Sequence, residues 1–218
     1  MKNKTICFIG LDGSGKSTSV DHAYDTLKAR GVKVKKVRAA YVIKVMSFFI
    51  KLGKKLMMKK DANPYGGDYK SYLESMRKQS EKKGVYKIFT FLTTVEFWCQ
   101  IFFSITLNKL FGYTLLVDRY IYDNAVTYAA NLGKDTSFLR ATIEKKWKNA
   151  PKPDLIVYIK TPVETCLSRK DDIPDPLYLI IREPLYDEIS SMYNATVISG
   201  DTDKDDMLNK VMSAIDNL

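Results

Sequence analysis

Gly10-Leu11-Asp12-Gly13-Ser14-Gly15-Lys16-Ser17-Thr18 sets glycines, a lysine and hydroxyl residues at the spacing of a phosphate-binding loop. Glycines 10, 13 and 15 let the chain curl so that successive N–H groups point at one spot. A helix opening at Lys16 adds its positive end to that spot. Lys16 supplies a cation for β- and γ-phosphates, and Ser17 offers its hydroxyl to Mg²⁺. The expected contacts to ATP are therefore Gly10, Asp12, Gly13, Ser14, Gly15, Lys16, Ser17 and Thr18. Asp12 is the unusual member. A carboxylate among phosphates is unfavourable unless it faces a sugar hydroxyl or a metal; the other reading is an Asp that stabilises the turn.

A second group of chemically capable residues is Asp118-Arg119-Tyr120, at the end of the apolar run Leu115-Leu116-Val117. Strand C-termini line the ligand crevice of a parallel sheet. Asp118 is there placed to hold Mg²⁺ through water, and Arg119 to clamp a phosphate oxygen. The bland alternative is a pair that caps the next helix. Asn-Lys occurs at Asn3, Asn108 and Asn209, never followed by the Asp of a guanine-reading motif, which argues against a GTPase. At 218 residues the chain is also short for a motor ATPase.

These residues need a frame. Strands are expected over 5–9, 32–37, 113–117, 155–159 and 196–198, with helices over 16–30 and 204–215. Val20, Ala23, Tyr24 and Leu27 share one helix face, and Gly31 stands at the C-cap position. Thr161, Pro162 and Glu164 predict a capped helix start, and the helical run 177–193 is expected to break at Pro184. Strand alternating with helix predicts one α/β domain: a three-layer fold with a five-stranded parallel sheet flanked by helices. Residues 39–111 hold no convincing strand and read as helices over the acceptor side, with a flexible Asn63-Pro64-Tyr65-Gly66-Gly67 turn.

Thirty-five Lys and Arg against 25 Asp and Glu give a net charge of +10, suited to anionic ligands. No nucleic-acid motif appears, so no specific nucleic acid is expected. The run 88–108 has Glu96 as its only charge and the length of a membrane span, but its threonines and central carboxylate favour a buried helix. The run 48–60, with Lys51, Lys54, Lys55, Lys59 and Lys60, could seek a membrane surface; a helix with a solvated basic face is the plainer reading. Cys7, Cys99 and Cys166 lie in apolar runs without metal spacing and read as buried, reduced thiols, which fits a cytoplasmic protein. No leader of signal-peptide length precedes the first strand, so export is not expected.

The chain resembles thymidylate kinase in its 10–18 loop, in Asp-Arg-Tyr at 118–120, in Pro-Asp-Leu-Ile-Val-Tyr-Ile at 153–159 and in Thr-Pro-Val-Glu-Thr-Cys-Leu-Ser-Arg at 161–169. The resemblance implies a P-loop kinase fold, a homodimer, and ATP-Mg²⁺ as donor to dTMP. It gives Asp12 the acceptor's sugar. It makes 169–182 a lid whose acting cation is Arg169, with Lys170 and Arg182 as alternatives. Lys16, Arg119, Asp12 and Arg169 then form the catalytic set, and Asp12, Arg38, Phe97, Gln100, Arg119 and Tyr120 the acceptor set.

Departures from the family lie on that acceptor side. Arg38-Ala39-Ala40 stands for the usual Arg-Glu-Pro, and Phe97 is near the position of a base-reading Arg. Tyr122, Asp123 and Asn124 replace small hydroxyl residues, and the lid is short and acidic. Another acceptor, such as a deoxynucleoside read by Glu96 and Gln100, stays open, as does a non-catalytic nucleotide-binding regulator. The aromatic run Phe89, Phe91, Phe97 and Trp98 could stack on a base, or pack the core.

Overall fold

The structure is a computed structural model that describes residues 2–38, 69–80, 91 and 94–218. The basic run 48–60, the turn at 63–67 and Phe89 lie outside the described residues. Five parallel strands, β1 (Thr5–Ile9), β2 (Val34–Val37), β3 (Thr114–Asp118), β4 (Leu155–Lys160) and β5 (Thr196–Ser199), form one sheet in the order β2-β3-β1-β4-β5. The expected strands are all present, with ends differing by one or two residues. β2 and β5 are the edges, and their outer residues are partly exposed.

The central strands are apolar between their terminal residues because both faces are covered. Cys7, Ile9, Leu115, Val117, Ile156 and Tyr158 point into one core. Ile6, Phe8, Leu116, Val157, Ile159 and Ile198 point into the other. The second core is closed by α1 (Lys16–Ala29) and the C-terminal helix α9 (Lys204–Asp216), through Val20, Ala23, Leu27, Leu208, Val211 and Ile215. The first core is closed by α3 over 94–110, α4 (Ile121–Leu132), α5 (Thr136–Lys146) and α8 (Glu183–Met192). Three further helices are α2 (Tyr69–Ser80), α6 (Val163–Ser168) and α7 (Pro176–Ile180). The described part of 39–111 is helical up to Leu110.

The 177–193 run breaks at Ile181 and Arg182 and restarts with Pro184 in the first turn of α8, in keeping with the expected break at that proline. Two expectations need correction. Thr161 does not cap α6: its hydroxyl donates to the Ser14 carbonyl at 3.1 Å, and Pro162 takes the N-cap position. Cys99 is exposed, unlike Cys7 and Cys166. It lies on the outer face of α3, which is only half-buried. Phe97, Ile101 and Ile105 are sealed in the core, while Val95, Phe102, Phe103 and Leu110 are exposed. A π-helical turn at Phe102–Thr106 shifts the register between the two halves of α3. No helix among the described residues is long and apolar enough to cross a membrane.

Candidate active site

The loop between β1 and α1 closes on itself by contacts that only glycine permits. Gly13 has φ of 86°, and a Cβ there would meet the Cys166 carbonyl oxygen at 2.6 Å. Gly10 has φ of 143°, and a Cβ would stand 2.5 Å from the Ile159 carbonyl oxygen. Thr161 and Ser14 tie the same loop to the end of β4. The loop is thus wedged against β4 and α6 and tightened by the Ser14 N–H donating to the Leu11 carbonyl at 3.2 Å.

A cavity of about 680 Å³ opens above it. Its wall comprises Asp12 to Thr18, Arg38 and Asp118 from the ends of β2 and β3, Arg119, Arg169, Lys170, and Gly200, Thr202, Lys204 and Met207. Lys16 is 5% exposed, and its Nζ donates to the carbonyls of Gly10 at 2.7 Å and Leu11 at 2.5 Å. Burial lowers the pKa of Lys16, and Asp12 partly opposes the shift.

Asp12 is held at both oxygens. Arg119 forms an ion pair with Oδ1, and the Tyr178 hydroxyl donates to Oδ2 at 3.0 Å. Burial raises the Asp12 pKa, but Arg119, Lys16, Lys170 and Tyr178 together outweigh it, so the carboxyl sits below its usual range. Burial lowers the pKa of Arg119, but Asp12, Asp123, Tyr186 and Tyr178 together outweigh it, with a net rise. Arg119 reaches this position from left-handed backbone, φ 65°, which is uncommon for a side-chain-bearing residue. Two residues on, α4 starts; the Asp123 carboxylate, 3% exposed, accepts from Tyr120 N–H at 2.9 Å and from the Tyr186 hydroxyl at 2.8 Å.

Of the residues expected from sequence, the cavity gathers Asp12, Gly13, Ser14, Gly15, Lys16, Ser17, Thr18, Arg38, Asp118, Arg119 and Arg169. Gly10 lies beneath the loop, at the end of β1. Phe97, Gln100 and Tyr120 are not in its lining. Phe97 is 2% exposed and packs on Trp147. Tyr120 is fully buried, its hydroxyl donating to the Pro151 carbonyl at 2.7 Å. Gln100 is half-buried on α3.

The segment 169–182 offers two cations to the cavity. Arg169 donates to the Gly200 carbonyl at 2.9 Å, and Lys170 pairs with Asp172 at 3.2 Å. Arg182 does neither. It is 4% exposed, lies 3.7 Å over the Tyr178 ring, and donates to the Tyr69 hydroxyl at 2.9 Å. Its role is to hold Tyr178, and through it Asp12. Tyr178 itself went unrecognised from sequence, since nothing local marks a tyrosine that bonds a carboxylate 166 positions away.

The donor set fits Mg²⁺. Asp118 Oδ1 is buried and has no hydrogen-bond partner, and both Asp118 and Ser17 face the cavity. A hard cation that keeps several waters and takes one carboxylate plus a hydroxyl beside phosphates suits that arrangement. Among the described residues there is no cluster of three acidic, His or Cys ligands.

No family model matches the sequence. Among solved structures, a deoxyadenosine kinase from M. mycoides with bound dCTP is similar. It shares 14% identity and a TM-score of 0.56, over 98% of this chain and 100% of that one. The likeness establishes the fold: an α/β P-loop kinase architecture with a five-stranded parallel sheet flanked by helices. The resemblance to thymidylate kinase rests on the sequence motifs alone.

Proposed function

We propose that the chain is an ATP-dependent phosphotransferase that acts on a nucleoside monophosphate, with dTMP the first acceptor to test. The supporting observation is the convergence on one cavity of the loop amides, Lys16, Arg38, Arg119 and Arg169 beside the unpartnered Asp118 oxygen. Lys16 exchanges its two loop carbonyls for β- and γ-phosphate oxygens when ATP enters. Ser17 and, through water, Asp118 would hold Mg²⁺, which would supply neutralisation of phosphate charge when bound. An acceptor phosphate oxygen attacks the γ-phosphorus in line; the bond to the β–γ bridging oxygen breaks and ADP leaves. Such a transfer asks for positioning and charge neutralisation rather than a strong base. Arg119 and Arg169 supply charge to the moving group, and Asp12 takes a sugar hydroxyl of the acceptor.

Arg38 favours a phosphorylated acceptor. Its guanidinium faces the cavity from the end of β2 without a partner among the described residues. A second reading, a deoxynucleoside acceptor, is favoured by the similarity to the deoxyadenosine kinase. ADP release measured across deoxynucleosides and their monophosphates separates the two. Turnover with monophosphates alone supports the first, and turnover with nucleosides alone overturns it. No ADP release with any acceptor, together with tight ATP binding, would leave a nucleotide-binding regulator.

The chain also pairs with a second copy in this proposal. Phe91, Val95, Phe102, Phe103 and Leu110 expose an apolar stripe along α3 and the residue just before it. A surface of that kind on a small domain suits a self-complementary helix contact.

A further inference from the structure

Asp123 lies outside the cavity lining, and nothing above gives it a part in the reaction. It is nonetheless a carboxylate buried at the third position of α4, where burial disfavours its charge and raises its pKa. Its surroundings explain what it holds. Oδ2 accepts from the backbone N–H of Tyr120, the residue immediately after Arg119. Oδ1 accepts from the hydroxyl of Tyr186 on α8, itself fully enclosed. The charged groups facing it are Arg119 and Lys16, the two cations closest to the loop.

The segment it anchors is strained. Arg119 sits at φ 65°, a conformation that costs a residue with a Cβ unless its neighbours enforce it. Tyr120 then returns to extended backbone at φ −125°, ψ −159° before the helix begins. Between β3, fixed by its register with β1 and β2, and the first turn of α4, the Asp123 carboxylate holds the backbone of this reversal at the Tyr120 N–H. Tyr120 is further pinned by its hydroxyl on Pro151. With both ends fixed, the left-handed residue between them turns its guanidinium to the loop, where Asp12 receives it.

We infer that Asp123 is a positioning residue: by holding the Tyr120 amide and the Tyr186 hydroxyl it enforces the left-handed turn at Arg119 and so aims that guanidinium at the phosphate loop. The inference concerns the same site as the proposed phosphotransfer and rests on that reading for its kinetic consequence, though not for its geometric one. A reversal without its anchor relaxes to ordinary backbone and swings Arg119 off Asp12. Loss of one preorganised cation in phosphoryl transfer lowers kcat by about 10²–10³-fold. ATP binding, carried by the loop amides and Lys16, changes far less.

The test uses the full chain with ¹⁵N-labelled arginine, as wild type, Asp123→Ala, Asp123→Asn and Arg119→Lys. The Nε–H signal absent from Arg119→Lys belongs to Arg119. In wild type it is expected to be dispersed and slow to exchange. In Asp123→Ala it should collapse to the position of solvent-exposed arginines, while the far-UV spectrum stays that of wild type. Asp123→Asn keeps an oxygen for the Tyr120 amide and an N–H₂ for Tyr186. It should therefore keep the signal and hold kcat within about three-fold. With an acceptor in hand, Asp123→Ala should lose kcat by the factor given above, with the KM for ATP moving less than about three-fold.

If Asp123→Ala keeps a wild-type Arg119 signal, the positioning role is wrong, whatever the kinetics. If Asp123→Ala does not fold, Asp123→Asn decides alone: a folded Asp123→Asn that has lost the Arg119 signal also overturns it. If the signal responds as stated but wild type transfers phosphate to no acceptor, the positioning stands and the phosphotransferase reading falls.

Discussion

Asp12→Asn isolates the charge of the residue that most distinguishes the loop. Asp12 and Arg119 side chains are 14% and 22% exposed, so their pair lies between two regimes. Exposed pairs are worth roughly 0.2–1 kcal/mol, and breaking a fully buried one costs about 3–5 kcal/mol. The amide still accepts from Tyr178 and from one Arg119 N–H, so the expected loss of stability at neutral pH is about 1–2 kcal/mol. The pH dependence carries a sign. The folded pKa of Asp12 is depressed below 3.8, so its contribution is full above that value and is lost as pH falls through the lower folded value. Wild type and variant should therefore converge in denaturant midpoint as pH falls below about 4. In function, removing a negative charge from among phosphates should leave ATP affinity equal or tighter by calorimetry. The kcat/KM for the acceptor should fall roughly ten-fold, the worth of a charge-assisted hydrogen bond made neutral. A 3′-deoxy acceptor completes the cycle: with it, Asn and Asp should perform alike. The reasoning is refuted if ATP affinity collapses while acceptor kinetics hold, or if removing the hydroxyl costs both proteins the same factor.

Gly13→Ala should destabilise the fold by about 2 kcal/mol or more in urea titration, because the left-handed backbone and the Cys166 carbonyl leave no space for a methyl group; a change below half a kcal/mol would contradict the wedged loop. Arg119→Ala should lower kcat by roughly 2–4 kcal/mol of transition-state stabilisation; unchanged turnover with altered melting would make Arg119 structural. Light scattering should find about twice the 24.9 kDa chain mass, and Phe103→Glu with Leu110→Glu should return it to a single chain. A wild-type monomer at every concentration would remove the dimer.

The sheet was legible because its three central strands are short and apolar between their ends, as two-sided burial requires, and the loop because its glycines, lysine and hydroxyls have one common use. α3 was half legible: a helix was expected there, but an apolar run without periodicity could not reveal that Phe97 faces inward while Phe103 faces out. The π turn at Phe102–Thr106 is what scrambles that periodicity. Thr161 carried a local capping signal and answers instead to Ser14, 147 positions away. Arg182 read as a lid cation from its neighbourhood in the chain, yet the break between α7 and α8 turns it inward onto Tyr178 and Tyr69. The Asp12–Tyr178 and Asp123–Tyr186 bonds join distant segments, and no local pattern encodes a partner chosen by the fold.

Transfer of the terminal phosphate is observed most directly with ATP carrying ³²P at the γ position, Mg²⁺ and dTMP, followed by chromatographic separation of the products, for wild type and Lys16→Ala side by side. Lys16 donates to two loop carbonyls at the cavity wall, so the variant should keep the fold, checked by its far-UV spectrum and a cooperative melt. Label should appear in the acceptor with wild type and fall by at least about 10²-fold with Lys16→Ala. Equal label transfer by a folded Lys16→Ala protein, or no label in any nucleotide acceptor with wild type, would contradict the phosphotransferase.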